Sequence, residues 1–126
     1  MSKLALSFFA TAALCALGGM VWGIIMAASG DHGMMPAHAH LNLMGWATLA
    51  LMGTYYALSG RGGRLGWINY ALSTLGVVIA IPSLGLVLAG NQAAEKGATV
   101  GAILALLGMA VFAFEVVNDW RTAPSS

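Results

Sequence analysis

Four apolar runs divide this chain, and each is long enough to cross a bilayer as a helix. They cover about residues 4–28, 37–58, 65–89 and 98–117. A hydrocarbon core about 30 Å thick is spanned by about 20 predominantly apolar helical residues. Only 7% of the 126 residues are charged, against about 25% in a soluble domain, so too few charges exist to clothe a water-facing surface. The expected fold is therefore all-α: one transmembrane domain over residues 1–126, built of four transmembrane helices.

The connecting stretches are short and rich in helix breakers. Ser29 to Ala37 holds two glycines and a proline, and Pro36 suits the first turn of the second helix, where its missing donor does no harm. Ser59 to Arg64 is a glycine-rich basic turn, and Gly90 to Gly97 is polar. Lys3 before Leu-Ala-Leu-Ser-Phe-Phe-Ala raises a signal peptide as a rival reading, but the apolar run continues past Trp22 to Ala28. That exceeds the 7–15 residues of a signal core, and an uncleaved first span is expected. Gly19 and Gly23 form a Gly-x-x-x-Gly pair that permits close helix approach. Tyr55 and Tyr56 end the second run, Trp67 and Tyr70 start the third, and such aromatics suit membrane interfaces. Pro82 is expected to kink the third helix. Cys15 has no partner cysteine and reads as a small buried hydrophobe.

With the N-terminus inside, Lys3, Arg61, Arg64 and Arg121 are cytoplasmic and Lys96 alone lies outside. Cations in short loops favour the cytoplasm, so both termini are expected there, in a bacterial inner membrane. The few cations form no nucleic-acid footprint; the expected partners are the lipid bilayer and further copies of the chain.

Within this scaffold one stretch carries chemistry: Pro36-Ala37-His38-Ala39-His40-Leu41-Asn42-Leu43-Met44-Gly45-Trp46. Ionisable groups at the mouth of a membrane helix are costly and mark a site by default. At about 100° per residue, His38 and His40 lie roughly 200° apart around a helix, so they serve different neighbours rather than one ion. Asn42, Gly45, Leu49, Met52 and Tyr56 continue the face of His38; Met44, Ala47, Leu51 and Thr54 continue that of His40. The first row mixes small and polar groups, as a helix does where something flat approaches. Glu115, the single carboxylate within an apolar run, reads as an interfacial cap or a proton-relay group.

Three chemistries suit these residues. Haem takes a neutral imidazole as axial ligand; one helix offers one histidine to each of two haems, and bis-His ligation then needs a second chain, because the other spans hold no histidine. Copper suits imidazole plus thioether, here His32, Met34, Met35 and His38, with Asp31 and His40 nearby. Interfacial histidines bonding water, headgroups or backbone carbonyls are the third reading.

The stretch Ala37 to Trp46 resembles the His-x-His helix of the haem–copper oxidase superfamily, the catalytic subunits of cytochrome oxidases and nitric-oxide reductases. There the two histidines bind a low-spin and a high-spin haem on opposite faces of one helix, and a glycine follows, as Gly45 does here. The resemblance implies haem b on His38 and His40, with Gly45 beside the cofactor; Asn42, on the face of His38, is a further cofactor-binding candidate, and His32, in the loop and without a clear counterpart in the superfamily, is a further metal candidate. It also implies an architecture, since those subunits arrange twelve helices as three arcs of four and carry their ligands mainly on the second helix of each arc. A homotrimer of this chain would reproduce that arrangement. The superfamily's His-Pro-Glu/Asp-Val-Tyr-like copper helix and its His-His pair have no counterpart in this sequence. The function implied is a small b-type cytochrome for electron transfer or diatomic gas binding, an oxidoreductase by relationship, fed by a donor protein or quinone. A copper-binding membrane protein and an accessory subunit of a respiratory complex are the alternatives.

Overall fold

The computed structural model describes residues 1–123, and these form four antiparallel rods with no strand among them. Helix α1 spans Lys3–Ser29. The second rod, residues 35–59, is helical throughout but changes winding twice: α2 (Met35–His40), a π-helical segment (Leu41–Thr48) and α3 (Leu49–Ser59). Helix α4 covers Gly63–Leu88. A 3₁₀ turn at Gln92–Ala94 leads into α5 (Glu95–Thr122). Helices α1, α4 and α5, the last with its leading turn, are each long and apolar enough to cross a membrane.

Local chemistry sets the ends. The Ser2 hydroxyl caps α1 by accepting from the Ala5 amide at 3.2 Å. Gly30 and Gly60 close α1 and α3 at φ 69° and 65°, a left-handed backbone that costs glycine nothing. Pro82 lies inside α4, which runs through it unbroken. The last rod begins at Glu95, earlier than the apolar run, because the 3₁₀ turn hands directly into it.

Glycines determine which rods touch. Along α1 and the second rod, Gly23 faces His38, Gly19 faces Asn42, Gly45 faces Cys15 and Gly53 faces Phe8. One number falls as the other rises, so the rods are antiparallel. A Cβ added at Gly45 would lie 2.7 Å from Cys15 Sγ, and one at Gly53 would lie 3.0 Å from Phe8 Cβ. Helices α4 and α5 approach more closely still. A Cβ on Gly76 would stand 2.7 Å from the Ala105 nitrogen, and Gly101 and Gly108 press likewise on the backbone at Ala80 and Ser73. Lipid tails give no hydrophobic drive for helices to associate, so such backbone contact is how membrane rods gain packing energy.

The core lies at the end of the bundle away from the histidines. Leu4, Phe8, Leu49, Met52 and Tyr56 are buried together; Phe8 stacks on Tyr56 at 5.3 Å and meets Tyr70 edge-on at 5.1 Å. Leu4 sits beside Gly62 and Gly66, and Arg61 reaches Asp119, so the start of α1 and the end of α5 share this end. Helix α5 packs along α4, and a groove remains between α5 and the second rod. It widens into cavities of about 200 Å³ beside Met44, Thr48, Met52 and Ser73, and about 180 Å³ beside His40, Leu84 and Ala98.

The π-helical segment corrects the expected faces. In an unbroken α-helix Ala37 would lie about 100° away from Tyr56. Yet Ala37 and Tyr56 are both fully buried, because i→i+5 winding takes in an extra residue. His38 therefore does not continue the face of Met52 and Tyr56.

Candidate functional site

The histidine end is built on the first turns of the second rod. Pro36 lies in the opening turn of α2, and its carbonyl accepts a 2.7 Å hydrogen bond from Nδ1 of His40, one turn on. A carbonyl can only accept, so Nδ1 carries the proton. Nε2 of the neutral ring is then an acceptor, and no group among the described residues bonds it. The ring is exposed, over the groove between the rod and α5, beside Ile81, Leu84, Ala98 and Ala102.

His38 faces the other way. A Cβ at Gly23 would lie 3.3 Å from its Cε1, and Trp22 meets it edge-on at 6.5 Å. The Asn42 amide nitrogen sits 3.1 Å from the His38 carbonyl and 3.2 Å from His38 Nε2. Donating to Nε2, it leaves the ring proton on Nδ1, which is buried without a partner. The two rings thus address different flanks of one rod.

The other expected site residues fall differently. Asn42 holds the ring of His38. Gly45, read as a place where something flat approaches, receives Cys15 of α1 instead. His32 lies in the exposed loop, its Nδ1 donating to the Gly30 carbonyl at 3.1 Å. The copper set is not gathered: Met34 leans toward Gly85 of α4, Met35 is exposed, and His38 turns to α1. Among the described residues no three His, Cys, Asp or Glu side chains gather to hold a metal ion.

A second polar constellation, at the opposite end, escaped the sequence reading. Ser73 donates to Asn69 Oδ1 at 2.9 Å, Asn69 Nδ2 donates to the Tyr56 hydroxyl at 2.9 Å, and Tyr56 donates to Glu115. Tyr55 donates to Asp119, which Arg61 meets at 2.8 Å. Tyr56 and Asn69 are fully buried. Tyr56 is thus a core residue rather than an interfacial anchor, and Glu115 is neither a free cap nor isolated. Each donor in this row points toward Glu115, and the amide of Asn69 interrupts any hydroxyl-to-hydroxyl proton path. The arrangement staples α5 to α3 and α4. Asn69 and Ser73 lie four residues apart, one face of a helix, which is the signal that would have found them.

Comparison with known protein families, with curated proteins and with solved structures gives no match to this chain.

Proposed function

We propose that this chain is a membrane haem protein of the b type, with Nε2 of His40 as an axial ligand at the outer end of the bundle. The observation that carries the reading is the bond from His40 Nδ1 to the Pro36 carbonyl. A metal-ligating histidine almost always donates its other ring N–H in this way, which fixes the tautomer and orients the ring. A bare ion wants three or four protein donors; a porphyrin brings four nitrogens and asks the protein for one or two. A lone imidazole above an apolar groove fits the second demand. The resemblance of Ala37–Trp46 to the His-x-His helix of haem–copper oxidases supports the same choice. The resemblance makes His38 the second ligand position; its Nε2 lone pair is held by Asn42 and would be released for a ligand only with that amide turned fully to the His38 carbonyl, which it already meets at 3.1 Å.

Haem held there supplies a one-electron couple or a site for a diatomic gas. The chain supplies an apolar wall and the fixed imidazole. In this reading residues 35–59 form the fourth crossing, the cationic end of the bundle is cytoplasmic, and the histidines face the periplasm. One copy walls His40 on a single side, so the working form is a homo-oligomer, a trimer by the resemblance.

The test is an absorption spectrum of detergent-purified protein from haem-replete cells, with pyridine haemochrome to type the haem. A Soret band is expected, lost in His40→Ala. Wild-type protein without that band overturns the proposal, and stoichiometric copper without haem puts the copper reading in its place.

A further inference from the structure

We infer that the π-helical segment Leu41–Thr48 is the device that aims His40 at the groove, with Thr48 as its positioning residue. The inference rests on the reading of His40 as a ligand.

The argument is angular. In a continuous α-helix phased on the buried face of Leu49, Met52 and Tyr56, His38 would point into the centre of the bundle, and His40 would point about 200° away. That is straight into lipid. The i→i+5 winding inserts one residue between the two halves of the rod and turns α2 by about 100° relative to α3. Ala37 takes the central position, fully buried. His38 moves to the flank of Gly23 and Trp22. His40 comes to within about 60° of the buried centre on the other side, where it lines the cavity with Leu84 and Ala98.

Two contacts hold this winding. The Thr48 hydroxyl donates to the Leu43 carbonyl, five residues back, at 2.8 Å. Gly45, inside the segment, is pressed against Cys15. A helical threonine ordinarily bonds three or four residues back, as Thr54 does to Ala50 and Thr99 to Glu95. The longer reach of Thr48 belongs to the wider turn alone. π turns inside α-helices occur frequently at functional sites, and here the turn sets which neighbours the two imidazoles meet.

The test has one readout that needs no haem. In a Cys15→Ser background, which removes the thiol and keeps a side chain of nearly the same size against Gly45, His40→Cys is paired with Ala98→Cys and challenged with a short bismaleimide; Arg61→Cys with Asp119→Cys reports whether the far end remains folded. The first pair is expected to cross-link. Deleting Leu43, which restores α phase, should cut that yield at least tenfold while the second pair still links. Thr48→Val should lower the yield and shift the Soret maximum of haem-loaded protein, and Thr48→Ser should restore both. Equal His40–Ala98 cross-linking with and without Leu43, the control pair intact, overturns the inference. Where the deletion abolishes the control pair, the Thr48 variants decide: a Thr48→Val protein matching wild type in yield and spectrum overturns it. Wild-type protein without a Soret band ends the haem reading, and the cross-linking still decides whether the π segment sets the direction of His40.

Discussion

The two ends of this bundle treat their polar groups in opposite ways. At the Glu115 end, Ser73, Asn69, Tyr56, Tyr55 and Arg61 each find an acceptor. At the histidine end, Nδ1 of His38 is buried with no partner, and Nε2 of His40 is left without one among the described residues. A buried group without its hydrogen bond costs about 1–3 kcal/mol. The chain pairs the members of the Glu115 network with one another, although the Thr74 hydroxyl beside Ser73 is buried without a bond, and it leaves both imidazoles with an unpaired nitrogen at the other end; the first arrangement is architecture, and the second is free to serve a ligand. Polar side chains within a membrane earn functional attention by default, but the comparison shows that satisfaction separates the two roles.

Four substitutions would break or sharpen that contrast. The largest effect is expected from His40→Ala, which should lower bound haem at least tenfold while leaving thermal stability in detergent almost unchanged, because the ring is exposed. A matched loss of stability would mean that His40 is structural. Next comes Asn69→Leu, which takes from Ser73 its oxygen acceptor and from the Tyr56 oxygen its donor; unfolding should show a loss of about 1–3 kcal/mol with the haem spectrum kept. If haem goes and stability stays, the roles of the two ends are reversed. His38→Leu removes an unpaired nitrogen and breaks one hydrogen bond to Asn42, so the melting temperature should hold within a few degrees while the spectrum changes. The smallest effect belongs to Arg61→Gln. Its ion pair with Asp119 is half exposed, and such pairs contribute about 0–1 kcal/mol, a difference that should shrink further in high salt.

Much of the scaffold was legible because its causes are local. Apolar length marked the rods, glycine and proline marked the turns, and Gly19 with Gly23 marked a seam that the structure fills with Asn42 and His38. The opposed directions of the two histidines were legible as well, since both lie in α2 and obey ordinary helical spacing. What failed was extrapolation across Leu41–Thr48. Nothing in Leu-Asn-Leu-Met-Gly-Trp-Ala-Thr announces one inserted residue; it arises from Gly45 meeting Cys15 on another rod and from one hydroxyl reaching one carbonyl. The network at Glu115 was hidden for a similar reason. Tyr55 and Tyr56 carry the aromatic signature of an interface, and only the approach of α5 turns their hydroxyls to Asp119 and Glu115.

The shared location of the first turn of α1 and the last turn of α5, marked by Leu4 against Gly62 and by Arg61 against Asp119, has a constructional consequence. Copies of such a unit can be strung in tandem through short tethers, each repeat entering in the same sense as the one before. Concatenated polypeptides of two, three or four units then become a direct way to count how many copies make one working assembly.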